Sequence, residues 1–282
     1  AADIGEMVFA CCFKTYLDFS SRRSESDMIL ATQLGYLNHT PHFNTILKYL
    51  RKPELEKVLT KLIKASALPL KEVEENFAMD ARGFSTVSTF NWNKCKRTMH
   101  APRAFKKAHI MVGVKTNVIT HIEVTDGYVH DIRMFEPLLY NTIKNFNVKE
   151  LYADKGYLSE RNYGIASQRG IIPFIPFKKN VRSDTGDHMV IWKVMYKYFK
   201  ENKKEFMRHY HRRSNVESAF SMMKRKFGSF VRSKSDTGRV NEVLCKAFCQ
   251  NICVLIQEMF YLGIKVRFQE QIPAEYMCKI TE

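Results

Sequence analysis

The chain lacks any long apolar run. Its most apolar stretch, Ala247 to Gln257, is closed by Lys246 and Glu258, well short of the roughly 20 residues that a membrane span requires. It also lacks a charged-then-apolar leader, so secretion is not expected, and an initiator Met, which suggests processing, a fragment or sequence missing before Ala1. Internal repeats and low-complexity segments are absent. No disulfide framework is evident: the seven cysteines are odd in number and irregularly spaced, which fits a reducing interior, the cytoplasm. Acidic residues are scarce. There are 29 Asp and Glu against 45 Lys and Arg, a net charge of +16. Such a surplus repels itself in a compact chain, so a polyanionic partner is expected, with nucleic acid the first choice and an anionic membrane surface the second.

What is present suffices for a folded core. At 45% hydrophobic and 12% aromatic residues, the 282-residue chain makes one large domain, or a small domain joined to a larger one. Residues 1 to about 72 read as an all-α N-terminal region. Thr40-Pro41 offers an N-cap hydroxyl and an N1 proline to a helix carrying Phe43, Ile46, Leu47 and Leu50 on one face. Pro53 restarts a helix in which Leu55, Val58, Leu59, Leu62 and Ile63 keep the 3.6-residue period. Short helices joined by tight turns suit a helix-turn-helix unit that binds DNA, and suit any small bundle equally.

Residues 73–282 read differently. Phe77 to Asp80 looks like the end of a buried strand, and Ala108 to Lys115 with Ile119 to Thr125 like a hairpin. Asp131 is expected to N-cap a helix reaching at least Tyr140, and Leu151 to Asp154 to end another strand. A helix near Glu160 to Gln168 leads to Ile171 to Phe177, whose Pro173 and Pro176 suit only an edge strand. Three strands, helix, strand, helix, strand, helix is an α/β plan: a mixed sheet flanked by helices.

Two aspartates, Asp80 and Asp154, thus stand where strands give way to loops, a favoured place for chemistry in open sheets. An aspartate after a strand is also a common turn former. The stronger signal lies in Tyr210 to Gly228. Wound as a helix, it presents Tyr210, Arg213, Glu217 and Lys224 within roughly 60° of one another, opposite Val216, Ala219, Met223 and Phe227. A solvated face with an Arg213–Glu217 ion pair explains the charges alone. A third carboxylate beside two strand-end aspartates, in a basic setting, favours a functional site.

The spacing Tyr210-x2-Arg213-x3-Glu217-x6-Lys224 resembles the Y-R-E-K signature of bacterial and archaeal insertion-sequence transposases of the DDE class. Ala78-Met79-Asp80 looks like that family's first-aspartate segment. Lys107 to Ile110 and Asp126 to Asp131 look like its hairpin and following helix start, and Leu151 to Tyr157 resembles its second-aspartate segment. The resemblance covers about residues 30 to 260. It implies an RNase H-like fold with the first and fourth strands adjacent, which sets Asp80 beside Asp154 and brings Glu217 over them. The 62 residues between Asp154 and Glu217 leave no room for a large β-insertion, so about 178–208 is expected to be a short, partly helical excursion.

By the same resemblance the three carboxylates would hold Mg²⁺ or Mn²⁺, two ions per site, hard cations that suit oxygen ligands. The implied activity is hydrolysis at transposon ends followed by strand transfer into target DNA. Tyr210, Arg213 and Lys224 would hold phosphates, with Arg212, Lys178, Lys179, Lys106 and Lys107 as further DNA contacts. A homodimer on paired ends of double-stranded DNA, near the nucleoid of a prokaryote, is implied. A domesticated DNA-binding protein and a stand-alone nuclease are the other readings.

No acidic residue falls between Asp80 and Glu123, and eleven basic residues face three acidic ones from Lys203 to Arg239. In the first of these stretches Arg82, Lys94, Lys96, Arg97, Arg103, Lys106, Lys107 and Lys115 are basic, which suits phosphate contact, and Phe90 or Trp92 would stack on an unpaired base. Cys245, Cys249 and Cys253 share a helical face but are expected to be buried free thiols. His209 and His211 suit surface or phosphate-contacting roles better than metal ligation, and N-capping accounts for His130-Asp131.

Overall fold

The computed structural model describes residues 3–86, 105–181 and 186–266. Phe90, Trp92, Lys94, Lys96, Arg97 and Arg103 lie outside these residues.

Four N-terminal helices come first: α1 (Ile4–Tyr16), α2 (Glu25–Gln33), α3 (Phe43–Leu50) and α4 (Pro53–Ala67). Asp3 caps α1 by accepting from the Gly5 and Glu6 amides. The start of α3 is not the expected one. His42 is its N-cap, accepting from the Asn44 amide, so Thr40 and Pro41 stay in the preceding loop. Pro53 does open α4. Ile46, Leu50, Leu55, Leu59 and Ile63 are buried, as the helical period requires.

Among the described residues the sheet has five strands, in the order β3-β2-β1-β4-β5. They are β1 (Asn76–Ser85), β2 (Phe105–Gly113), β3 (Ile119–Asp126), β4 (Glu150–Ala153) and β5 (Ile172–Phe174). The first three form an antiparallel meander, and β4 and β5 run parallel to β1. This is the mixed, RNase H-like arrangement, with β1 and β4 adjacent. Pro173 is accommodated because β5 is an edge strand. Buried Glu74 pins the β2–β3 turn, accepting from the Lys115 and Thr116 amides and the Thr116 hydroxyl.

The remaining helices flank the sheet: α5 (Phe135–Ile143), α6 (Glu160–Ser167), α7 (Val190–Glu201), α8 (Lys203–Tyr210), α9 (Ser214–Phe227) and α10 (Asp236–Leu262). The excursion after β5 carries α7 and α8. At 27 residues, α10 is long and apolar enough to cross a membrane by length and composition, although its uninterrupted apolar run is short. In this fold it is a core helix, packed against α1, α4 and β3. Asn251 shows why it belongs there: its side chain accepts from the Ile119 amide and donates to Ile119 O, Ile63 O and Ser66 Oγ. One residue thereby ties α10, α4 and β3 together. Cys245 and Cys249 are buried free thiols, while Cys253 is only partly buried.

Candidate active site

Asp80 lies in the middle of β1 rather than at its end, because β1 continues to Ser85 alongside β2. The parallel partner β4 is what stops: its last pair with β1 is Met79–Ala153. Asp80 and Asp154 are each the next residue, so they stand side by side, Asp80 still within β1 and Asp154 just past the end of β4. Asp154 turns out of β4 as the cap of a short 3₁₀ turn, with Oδ1 accepting from the Gly156 amide at 2.6 Å.

The segment bearing the third carboxylate is not one continuous helix. α8 ends at Tyr210, a 3₁₀ turn spans His211–Arg213, and α9 begins at Ser214. Its backbone stays in the right-handed region at Tyr210, Arg213 and Ser214, so the expected face survives the change of pitch. Arg213 Nε donates to the Tyr210 hydroxyl at 3.1 Å and Nη2 to Glu217 Oε1 at 2.7 Å. Val216, Ala219, Met223 and Phe227 on the other side are fully buried.

Arg213 also reaches the strand. Its Nη1 lies 3.3 Å from Asp80 Oδ2. Arg82 does the same from β1, with Nη2 at 3.3 Å from Asp80 Oδ2 and 3.1 Å from Glu217 Oε1. Two guanidiniums therefore bridge the strand carboxylate to the helix carboxylate. By sequence Arg82 is simply one of the basic residues between Asp80 and Glu123. Its position two residues after Asp80 on a strand, hence on the same face, was the available signal.

Burial pushes the Asp80 carboxyl above its ordinary pKa, with Asp154 adding to the rise. The Ala81 amide, Arg82 and Arg213 oppose it without prevailing. Tyr157 is completely buried, and its hydroxyl has no hydrogen-bond partner among the described residues. Burial raises its pKa well above 10, helped by the nearby negative charge of Asp131, Asp80 and Asp154.

Asp131 is not the expected N-cap. It begins a 3₁₀ turn (Asp131–Met134) capped by His130, which makes no side-chain cap bond. Its carboxylate instead takes Lys107 at 2.6 Å and faces His109 Nδ1 at 3.3 Å. The Cβ that Gly156 lacks would sit 3.5 Å from Asp131 Oδ2 and 2.8 Å from Asp154 Oδ1, so both carboxylates close on that glycine.

The expected DNA contacts divide. Lys178 and Lys179 are exposed beside Tyr210 on one cavity. Lys224 is half-buried, donating to Gly83 O at 2.8 Å over the Phe84 ring, and burial lowers its pKa. Arg212 turns to Tyr152 Oη at 3.0 Å and Glu150. His209 stacks on Phe174 and pairs with Glu150, while His211 is exposed. Lys106 is buried between Asp126 and Asp236, and Lys107 is held by Asp131 and Val129 O. These last two have internal acidic partners, because β2 places them against acids distant in sequence.

A family model, the transposase DDE domain, matches residues 72–252. The chain belongs to this family. No curated protein matches it. A DDE transposase domain acts on DNA, and the family uses divalent metals in general. Among the described residues of this transposase domain, no three His, Cys, Asp or Glu side chains already stand in a ligating arrangement. The donor chemistry nevertheless fits a hard cation: Asp80, Asp154 and Glu217 offer carboxylate oxygens, beside the orphaned hydroxyl of Tyr157.

Proposed function

We propose that the chain is a prokaryotic insertion-sequence transposase with the Y-R-E-K arrangement, cutting transposon ends and joining them to target DNA. The observation that carries this reading is the pair of bridges from Arg213 and Arg82 to Asp80 and Glu217, beside Asp154, within a DDE transposase domain. Asp80, Asp154 and Glu217 would hold two Mg²⁺ or Mn²⁺ ions. When bound, such ions activate a water or 3′-hydroxyl and stabilise the leaving oxygen. The protein's own groups do the positioning. Arg213 fixes Glu217 and presents a guanidinium at the site, suited to a phosphate in the substrate. Tyr210 orients Arg213, and Lys224 holds Gly83 of β1.

The protein works in the cytoplasm at the nucleoid, as a homodimer on paired ends. Residues 1–72 form an end-binding region, for which exposed Lys48, Arg51, Lys52 and Lys57 supply charge. Residues 73–282 form the catalytic domain, with about 178–208 as its insertion. Labelled inverted-repeat ends incubated with target plasmid and Mg²⁺ test the reading. Cleaved and joined products are expected from the wild type and not from Glu217→Gln, which should still bind DNA. Cleavage without joining points to a nuclease, and binding without cleavage to a domesticated DNA-binding protein.

A further inference from the structure

Beside the carboxylates lies a cavity of about 470 Å³ that the chemistry above does not use. Its size is that of a small-molecule site, large enough for a nucleotide and too small for a duplex. Phe177, Tyr196 and Phe199 line it. They belong to one aromatic cluster: the Phe177 ring centroid lies 5.2 Å from that of Tyr196 and 5.6 Å from that of Phe199. Phe177 and Tyr196 are buried, so this wall is packed into the fold.

The rim is cationic. Lys155, Lys178, Lys179, Lys200 and Lys203 all line the cavity, and all five are exposed. Among the described residues no carboxylate lines it. Lys200 Nζ sits 5.4 Å from the centroid of the Tyr196 ring, at the junction of rim and aromatic wall. A ligand with a flat face and several negative charges satisfies both halves, whereas a neutral or cationic ligand leaves five ammonium groups uncompensated.

Two residues join the cavity to the candidate active site. Tyr210 lines it and accepts a hydrogen bond from Arg213, while Lys155 directly follows Asp154. We infer that this cavity is a nucleotide subsite. It takes one unpaired nucleotide of a DNA strand passing the carboxylates, the base against the aromatic wall and the flanking phosphates on the lysines. Stacking on aromatic faces and phosphate neutralisation are the two terms by which unpaired strands are held. The inference rests on the reading that the protein acts on DNA.

The test compares binding of a blunt duplex with the same duplex carrying a short single-stranded tail with 2-aminopurine, using the full chain. The wild type should bind the tailed duplex about tenfold more tightly, with the 2-aminopurine fluorescence quenched. Lys200→Ala with Lys203→Ala should cut that advantage to about twofold and flatten the salt dependence of tailed binding. Phe199→Leu should relieve the quenching. No tail preference and no quenching in the wild type would overturn the subsite, as would equal losses for blunt and tailed DNA in the variants. Failure of the wild type to bind either DNA would instead overturn the reading of a DNA-acting protein.

Discussion

Replacing Lys246 with Met tests what holds the end of the Glu217 helix. Lys246 is fully buried in α10 and donates to three backbone carbonyls, Phe227 O, Gly228 O and Phe230 O. Those carbonyls end α9 and begin the segment that pairs with β1: Val231 donates to Ser85 O at 2.8 Å and Ser85 to Ser229 O at 3.2 Å. Gly228 permits the turn with φ of 79°, and its missing Cβ would meet Asp18 at 2.5 Å. Met matches the lysine in length but leaves three acceptors without a donor. At about 1 kcal/mol or more each, the loss is about 3–5 kcal/mol, the range also found when one partner of a buried charged group is removed. That is a large part of a typical stability of about 5–15 kcal/mol.

The pH dependence sharpens this prediction. Burial lowers the Lys246 pKa to about 8, although Glu242 and Asp18 oppose the shift. The unfolded lysine titrates near 10.5. Between those values the unfolded state holds the extra proton, so the wild type gains stability from this group as pH rises and loses it as pH falls through 8. Urea denaturation of wild type and Lys246→Met at pH 7, 9 and 10 should show a deficit that widens with pH, by a few kcal/mol at most. A loss under about 1 kcal/mol at pH 7, or a deficit that shrinks with pH, refutes the reasoning.

Three further outcomes are expected. Asn251→Ala should cost about 2–4 kcal/mol in chemical denaturation, because it strips hydrogen bonds from β3 and α4 at once; a cost near zero would show that these elements do not need the tie. Asp80→Asn should abolish Mg²⁺-dependent cleavage yet raise the melting temperature at pH 7, since burial disfavours the ionised carboxyl and its stabilising form lies at low pH; a lower melting temperature would count against that. Tyr157→Phe should leave stability unchanged or higher by about 1 kcal/mol, because the hydroxyl it removes has no partner among the described residues; a clear loss would refute that.

Local pattern carried much of the architecture. The 3.6-residue period of α4, the two β-rich runs of β2 and β3 around a polar turn and Pro173 in the edge strand each state a backbone choice within a few residues. The Tyr210–Arg213–Glu217 face was legible for the same reason, since its members are three and four residues apart. Local signals erred where a tertiary partner outbid them. Asp131 has the composition of an N-cap but is drawn to Lys107 and His109 on β2, and only β3 and α10 bring Asp126 and Asp236 to Lys106. Asp80 looked like a strand end because nothing local shows that β2 outlasts β4 as its neighbour.

The layered plan, the basic character and the candidate carboxylates depend on composition and short spacing and are readable along the chain. That Arg82 joins Arg213 between Asp80 and Glu217, which lie far apart in the chain, follows from folding alone. Folding alone also gathers lysines and aromatics from three segments around one cavity. Contacts of that kind are set by sheet order and helix packing, and no periodicity within the chain records them.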